Sequence, residues 1–475
     1  MRGLNLGGEN VFDGDEQDVH NPATGEKVGT YINASGSDVD KAVDLALKAQ
    51  PAWALSPESE KADVLLRAAD LIDAQCNRIA EVLTQEQGKP FPDSKKEISF
   101  GAEVFRYYAN MINTSVPDVR QTSNPAIESR VHHRPLGVVG AIVPWNYPVD
   151  LWCWKVAPAL AAGNAVVIKP PRETPLAAGL VANLLYQAGL PKGLLSDLPG
   201  GLDAGQRLVS HPKISAITAT CSTETGKSIM AAAAPTLKRL LLELGGNCPL
   251  IVLDDADIEA TARAALRRSF SNMGQICIAV NRIIVLEHVA QAFTDALSDL
   301  VKGMSIGNGM DPGIEFGPTT TQMVITKSES HIEDAINRGG RLLTGGKRLT
   351  SGDFKTGNFF SPTVIDNVHP LSKLAREETF GPVVGILSAR NDDEAIRIAN
   401  DSQYGLAAYV FGGDLERATK VANQLEVGGV GVNVNDITEL DAPFGGWKMS
   451  GIGRELGREG YLELTQSQHV RVKNY

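Results

Sequence analysis

The spacing of apolar residues divides the chain into a helical opening part and a longer part in which strands and helices alternate. Apolar positions recur at helical spacing over 37–50, 57–87 and 94–112, which predicts three consecutive amphipathic helices. After residue 135 the apolar runs become short: LGVVGAIVP, AVVIKP, AITAT and RLLLELGG alternate with helical stretches such as 175–188. Such runs indicate buried strands of a parallel sheet, which binds its ligands at the carboxyl ends of the strands.

The same alternation continues after residue 247 and predicts a second α/β unit. The segments PLIVLD and NRIIVLE are typical of buried strands, and helical spacing covers 258–272, 290–302, 393–400 and 415–424. Residues 113–135 lack helical periodicity, whereas 461–475 alternate like a strand. A chain of 475 residues is too long for one ordinary core, so an α/β fold with more than one domain is predicted.

Composition and charge narrow the classes of partner. A hydrophobic content of 43% and a charged content of 21% are typical of a soluble globular protein, and the net charge of −11 argues against nucleic acid as a main partner. Prolines, glycines and charged residues interrupt the longest apolar region, 136–168, so no membrane span is expected. The five cysteines form no CxxC pair and no metal-ligand spacing, which favours a reduced, cytoplasmic protein without a metal site.

The strongest candidate for chemistry is Cys277, in the segment FSNMGQICIAVNR. Asn272 and Gly274 precede it, and these residue types favour a loop rather than the middle of a strand. Glu243 ends an apolar run just before two glycines, a position from which an acid can project from a strand tip into a cleft. A thiol nucleophile with a carboxylate base nearby indicates covalent acyl chemistry.

Five segments in one order resemble the aldehyde dehydrogenase superfamily: PWNYP at 144–148, KP at 169–170, ELGG at 243–246 with GQxC after it, EETFGP at 377–382 and PFGGWKMSG at 443–451. The resemblance implies a Rossmann-like NAD(P)-binding domain over 1–112 and 136–246 and a catalytic α/β domain over 247–449. It also implies a small β oligomerisation arm from 113–135 and 450–475, whose last strand pairs with a neighbouring subunit. A homodimer or homotetramer is therefore expected.

The resemblance assigns catalytic roles to three residues. Cys277 attacks the aldehyde, and the side-chain amide of Asn146 joins the Cys277 backbone N–H in stabilising the resulting oxyanion, a donor typically worth about 3 kcal/mol. Hydride transfer to the nicotinamide leaves a thioester, which Glu243 hydrolyses as general base. Coenzyme-A-acylating members usually lack this glutamate, so release of a free acid is favoured. A coenzyme-A-dependent enzyme, an inert binding protein on the same fold and a thiol hydrolase are the alternatives.

The cofactor site departs from the family pattern at two positions. Arg172 stands where many NAD-preferring members carry a glutamate, and a guanidinium suits the 2′-phosphate of NADP. NADP is therefore favoured over NAD, although Glu173 next door could reach the ribose. Cys221 replaces a glycine at the phosphate turn, which removes the freedom for positive φ. The remaining cofactor residues implied by the resemblance are Trp145, Lys169, Gly201, Ser222, Gly226, Glu378 and Phe380.

The substrate tunnel is also placed by resemblance. Its predicted residues are Phe100, Tyr147, Trp154, Ile276, Ile278, Asp436 and Thr438, an apolar collar with a polar mouth. No arginine occupies these positions, which weakens a dicarboxylic semialdehyde as substrate, and Lys96 is interpreted as part of a solvated helix face. The chain nevertheless resembles the succinate-semialdehyde and lactaldehyde dehydrogenase branches, so a small polar aldehyde or semialdehyde is predicted.

Overall fold

Two large sheets form the centre of the protein. The structure is a computed structural model, which describes residues 1–112, 118–120, 122–124 and 126–473. The strands of the first sheet are, in spatial order, Glu9–Val11, Leu4–Leu6, Leu195–Asp197, Ala165–Lys169, Val138–Ile142, Ala216–Thr220, Arg239–Glu243 and Gly451–Ile452. The five strands from 195–197 to 239–243 are parallel, and short antiparallel strands flank them. The predicted parallel sheet is confirmed.

The second sheet has the order Arg341–Thr344, Thr363–Asp366, Val383–Ala389, Val280–Leu286, Cys248–Val252, Ala407–Phe411 and Gly429–Val432. All neighbours are parallel except the first pair. The strands Cys248–Val252 and Val280–Leu286 are buried at every residue, as apolar runs covered on both faces should be. The predicted second α/β unit is therefore present, and the α/β fold class is confirmed.

Helices cover these sheets. The α-helices are Gly36–Leu55, Glu58–Ala74, Cys76–Gln87, Phe91–Ile112, Asp150–Ala161, Leu176–Gln187, Leu202–Ser210, Thr223–Ala233, Ile258–Phe270, Glu287–Lys302, Gln322–Asn337, Lys373–Arg376, Asp392–Asn400, Leu415–Ala422 and Gly457–Glu463. The single helix predicted over 57–87 is wrong, because Gln75 leaves the helical conformation at φ −108° and ψ 10°. Apolar spacing continues across this break, so the pattern alone did not reveal it. Short 3₁₀-helices cover Ala234–Thr236, Ser271–Gly274 and Gly352–Phe354.

The arm is a three-stranded antiparallel sheet of Thr465–Lys473, Ile127–Pro135 and Asp118–Arg120. The last strand pairs along its whole length with the arm strand of its own chain; pairing of its other edge with a neighbouring subunit stays a prediction. Only part of segment 450–475, which was predicted to belong to the arm, lies there. Strand Thr465–Lys473 is in the arm, whereas Gly451–Ile452 pairs with the first sheet. Smaller two-stranded pairs join Asp15–His20 with Lys27–Asn33 and Tyr404–Gly405 with Trp447–Lys448.

Across the described ranges, no helix is both long enough and apolar enough to cross a lipid bilayer. In the same ranges, no group of three or more His, Cys, Asp or Glu side chains is arranged to hold a metal ion.

A buried ion pair fixes the loop that leads into helix Asp150–Ala161. Lys89 and Glu97 form a salt bridge with both side chains almost fully buried. The Lys89 ammonium also donates to the Asn146 carbonyl at 2.7 Å and lies 3.8 Å from the centre of the Tyr147 ring. The second carboxylate oxygen of Glu97 accepts the backbone N–H of Val149 at 3.0 Å. This pair, called the Lys89–Glu97 clamp below, therefore holds both ends of the loop.

Breaking the clamp on one side should destabilise the protein strongly. Lys89→Met leaves the Glu97 carboxylate buried without its cation, which should cost about 3–5 kcal/mol. The matched double variant Lys89→Met/Glu97→Gln keeps the acceptor for Val149 and removes the unpaired charge, so it should recover part of that loss. Thermal unfolding of the wild type and of both variants measures their order of stability. A double variant no more stable than the single one would contradict the stabilising role of the clamp.

Candidate active site

One cavity of about 790 Å³ contains all the predicted catalytic and substrate residues. Cys277, Glu243 and Asn146 line it, and so do the seven predicted substrate residues, Phe100, Tyr147, Trp154, Ile276, Ile278, Asp436 and Thr438. Strand Arg239–Glu243 of the first sheet ends in Glu243, and Cys277 precedes strand Val280–Leu286 of the second. The cavity therefore receives its reactive groups from both sheets.

The segment that carries Cys277 is an irregular turn, as the sequence predicted. Asn272 and Met273 before it have left-handed backbone conformations, with φ of 48° and 57°. Gly274 has φ +72°, and a Cβ there would come within 2.3 Å of the Gly381 carbonyl oxygen. Glycine is therefore required at 274 both for its backbone conformation and for close contact with the EETFGP segment.

Buried side-chain amides support this turn from below. The Gln87 amide donates to the Asn272 side-chain oxygen at 2.9 Å. The Gln275 amide donates to the Asn272 carbonyl at 3.0 Å, and its oxygen accepts the Thr320 N–H at 2.9 Å. Buried polar groups of this kind are stable only when paired, so each amide fixes its neighbour. The sequence analysis missed Gln87 and Thr320, which lie far from Cys277 along the chain.

Asn146 is oriented towards the turn. Its side-chain N–H group donates to the Gln275 backbone carbonyl at 2.9 Å. The backbone carbonyl of Asn146 accepts hydrogen bonds from the side chains of Lys89 and Asn272. An amide nitrogen carries two hydrogens, so one of them is left to donate to an oxygen in the cavity. The geometry fits the predicted oxyanion-stabilising role.

Burial governs the protonation of the two reactive groups. It raises the pKa of the Cys277 thiol well above its ordinary value, and the nearby Cys248, Glu378 and Glu243 add to the effect. It likewise raises the pKa of the Glu243 carboxyl well above its ordinary value, with a further contribution from the charge of Glu455. Both Glu243 oxygens are buried and have no hydrogen-bond partner among the described residues. The side chain is thus held in an apolar site where it can exchange a proton.

A second carboxylate beside Glu243 was missed by the sequence analysis. Glu455 lines the same cavity and forms a buried salt bridge with Lys155 at 2.5 Å. The Thr218 hydroxyl donates to the same Glu455 oxygen at 3.1 Å. Glu455 lies 212 residues after Glu243 in a segment without an apolar pattern, so no local signal connects them.

The adenosine end of the predicted cofactor site is assembled at the carboxyl ends of two strands. Lys169 ends strand Ala165–Lys169, and its ammonium donates to the Gly200 carbonyl at 3.1 Å. Burial lowers the pKa of Lys169 to about 8. A Cβ on Gly201 would lie 3.7 Å from the Arg172 side chain, which is exposed to solvent. Lys169, Arg172 and Gly201 therefore lie together, as predicted.

The phosphate turn keeps its geometry despite the cysteine. Ser222 caps helix Thr223–Ala233 by accepting the Thr225 N–H, and a Cβ on Gly226 would come within 2.5 Å of Leu244. Cys221 is not one of the residues with positive φ. The loss of conformational freedom at Cys221 therefore has no consequence for this turn, because the backbone there does not require positive φ. The helix N-terminus remains suited to an anion.

The predicted nicotinamide end lies beside the catalytic turn. The Trp145 and Phe380 rings meet edge to face with centroids 5.4 Å apart. The Gly246 N–H donates to the Glu378 carboxylate at 3.0 Å, and a Cβ on Gly245 would come within 2.6 Å of that carboxylate. Trp145 with Phe380, and Glu378 with the glycines at 245 and 246, are therefore in contact with one another, whereas the binding of a dinucleotide by these residues stays a prediction.

Two expectations about basic residues need revision. Arg263, Arg267 and Arg268 of helix Ile258–Phe270 all line the cavity, so the expectation of a tunnel without arginine is wrong. Lys96 also lines it, although it is exposed and paired with Asp93 at 2.8 Å. The sequence analysis did not include these arginines, because none of them lies in one of the motifs that carry the family resemblance. Lys448 holds a turn, as expected, by donating to the Asn400 carbonyl at 2.9 Å.

The comparisons with known proteins agree with this site. The aldehyde dehydrogenase family model matches residues 12–470. The succinate semialdehyde dehydrogenase of Acinetobacter baylyi is 40% identical over 450 residues, which cover 94% of this chain and 92% of that protein. The glutarate-semialdehyde dehydrogenase of Pseudomonas aeruginosa is 39% identical over 450 residues, with coverage of 94% and 92%.

A solved structure gives the same result for the fold. The crystal structure described as an E. coli NADP dependent enzyme superposes with a TM-score of 0.97 at 36% identity, covering 100% of this chain and 98% of that one. The chain therefore belongs to the aldehyde dehydrogenase family and is an oxidoreductase that acts on aldehyde groups with NAD(P).

Proposed function

We propose that this chain oxidises a semialdehyde to the corresponding dicarboxylic acid, without coenzyme A. The observation that carries the proposal is the presence of Cys277, Glu243 and Asn146 in one cavity. The substrate class comes from the relatives, two of which are named for succinate and glutarate semialdehyde. Neither of these two relatives is named for lactaldehyde.

The first step is attack of the Cys277 sulfur on the aldehyde carbon. Because burial raises the pKa of this thiol, its proton must leave as the sulfur attacks, and it is released to water in the cavity, so that Glu243 stays available for the later hydrolysis. The new carbon–sulfur bond places negative charge on the former carbonyl oxygen. The remaining amide N–H of Asn146 and the Cys277 N–H are the donors for that charge, and one such donor is worth about 3 kcal/mol.

The groove along Lys169, Gly201, Ser222 and Glu378 would hold the dinucleotide. NAD(P) bound there supplies the hydride acceptor that converts the thiohemiacetal on Cys277 into a thioester. Trp145 and Phe380, whose rings pack edge to face, would flank the nicotinamide end. The EETFGP segment touches Gly274, so the same contacts align the groove with the thiol.

Hydrolysis completes the cycle. Glu243 takes a proton from water as the water oxygen attacks the thioester carbon, the carbon–sulfur bond breaks, and the thiol regains a proton. A base is needed because water is a weak nucleophile. The buried position of Glu243 in the cavity favours this route over transfer to coenzyme A. It also counts against an inert binding protein, and the cofactor groove counts against a simple thiol hydrolase.

NADP is the proposed preferred cofactor. Arg172 is exposed beside Gly201 and close to Lys169, so its guanidinium can reach a phosphate on the adenosine ribose. One structural relative is described as NADP dependent. A homodimer or homotetramer in the cytoplasm is also proposed, supported by the position of strand Thr465–Lys473 as an outer strand of the arm sheet.

A substrate and cofactor panel tests the proposal. Succinic and glutaric semialdehydes should be oxidised to acids with NADP and no coenzyme A, faster than lactaldehyde or benzaldehyde. Arg172→Ala should lower kcat/KM for NADP about tenfold or more and leave that for NAD nearly unchanged, because it removes a charge-assisted contact to the 2′-phosphate. Initial rates of NADPH and NADH formation measure both.

A strict requirement for coenzyme A would contradict the proposed reaction. If Arg172→Ala lowered kcat/KM equally for NADP and NAD, only the role of Arg172 in binding the 2′-phosphate would be contradicted.

The pH dependence of turnover should follow Glu243. Because the pKa of Glu243 is raised, its ionised form increases with pH over a range above that of an ordinary carboxyl, and kcat should rise with pH over that range. Glu455→Gln removes the neighbouring negative charge that raises this pKa, so the rising limb should move to lower pH. A pH profile of kcat measures the shift, and identical profiles for wild type and variant would contradict the coupling.

A further inference from the structure

Basic side chains gather at the rim of the catalytic cavity. Arg263, Arg267 and Arg268 come from helix Ile258–Phe270, and Lys96 comes from helix Phe91–Ile112. Three of the four already have acidic partners. Lys96 pairs with Asp93 at 2.8 Å, Arg263 with Glu259 at 3.4 Å and Arg268 with Asp436 at 2.5 Å.

Arg267 differs from the other three. It is exposed, and no hydrogen bond or ion pair joins its guanidinium group to any residue that the structure describes. A guanidinium carries five N–H donors in a planar fork that fits a carboxylate at two points. Of the basic groups at the rim, Arg267 is the one whose donors are all available to a bound molecule.

Most acidic groups that line the cavity are already bound to other residues. Asp93 and Asp436 are the partners of Lys96 and Arg268, and Glu315 accepts the Ser305 hydroxyl at 3.1 Å. Deeper in the cavity, burial raises the pKa values of Asp150 and Glu243 well above the ordinary range. The cavity therefore combines an apolar collar with an unpartnered positive group at its rim.

We propose that Arg267 binds the carboxylate at the far end of the aldehyde substrate and so selects semialdehydes over neutral aldehydes. The aldehyde group would enter past Tyr147 and Trp154 towards Cys277, while the charged end stays at the rim. This inference rests on the proposed function and names the residue that recognises its substrate. Arg268 cannot serve in the same way because its fork is occupied by Asp436 and the Asn435 carbonyl.

A cationic amino aldehyde is the competing occupant of the collar. The ring centroids of Trp154 and Phe444 lie 5.1 Å apart, and the faces of aromatic rings attract cations. The acid beside them is Asp150, whose side chain already accepts the Trp154 indole N–H at 2.7 Å. Because this carboxyl is already engaged by the indole, and because the Arg267 guanidinium repels a cation, the cavity favours an anionic far end over an ammonium group.

The test compares aldehydes of equal length that differ only in their far end. Succinic semialdehyde, butanal and 4-aminobutanal are oxidised with NADP by the wild type, Arg267→Met and the matched control Arg263→Met. Arg267→Met should lower kcat/KM for succinic semialdehyde about five- to tenfold, mainly through KM, because an exposed ionic contact is partly screened. Butanal should change less than twofold, and the control should behave as the wild type.

Each remaining outcome decides against the inference. If Arg267→Met lowered kcat/KM for butanal as much as for succinic semialdehyde, or left the ratio of the two kcat/KM values unchanged, the role of Arg267 would be overturned. The proposed oxidation itself would still stand. A wild-type preference for 4-aminobutanal would assign the collar to a cationic substrate. Failure of the proposed function looks different, because the wild type would then oxidise none of the three aldehydes without coenzyme A.

Discussion

The catalytic turn depends on buried hydrogen bonds that come from distant parts of the chain. Asn272 is the centre of this set: its side chain accepts from Gln87 and donates to the Asn146 carbonyl at 2.9 Å. Lys89 donates to that same carbonyl, so the oxyanion donor and the nucleophile share one support. An unpaired buried amide costs about 1–3 kcal/mol, and loss of one member leaves several others unpaired. The position of Cys277 relative to Asn146 is therefore a property of the whole set.

This rigidity explains how a strained backbone persists around the nucleophile. Two consecutive left-handed residues, Asn272 and Met273, each cost about 1–3 kcal/mol unless their surroundings determine them. Paired amides on one side and the contact of Gly274 with Gly381 on the other provide that constraint. Above the turn the environment is different, because Glu243 has no hydrogen-bond partner among the described residues. A fixed nucleophile thus shares its cavity with a buried carboxyl whose pKa is raised by burial.

The sequence predicted the parts of the site that lie in contiguous motifs. Glu243 at a strand end and Cys277 on a turn follow from local patterns, and the strands of both sheets follow from apolar runs. It did not reveal groups whose role comes from tertiary contacts. Glu455 lies 212 residues after Glu243 in the chain, and neither Lys89 nor Glu97 belongs to a motif that carries the family resemblance. Arg267 shows the same limit, since helical spacing assigns it to solvent and only the packed structure brings it to a cavity rim.

The most direct test of the account is accumulation of the thioester in Glu243→Gln. Without the base, the first turnover should occur and hydrolysis should stall. Rapid mixing with aldehyde and NADP should give a burst of about one NADPH per active site, and mass analysis should find the acyl group on the peptide that contains Cys277. Cys277→Ala should give neither signal. Sustained turnover by Glu243→Gln, or a burst with the acyl group on another residue, would contradict the account.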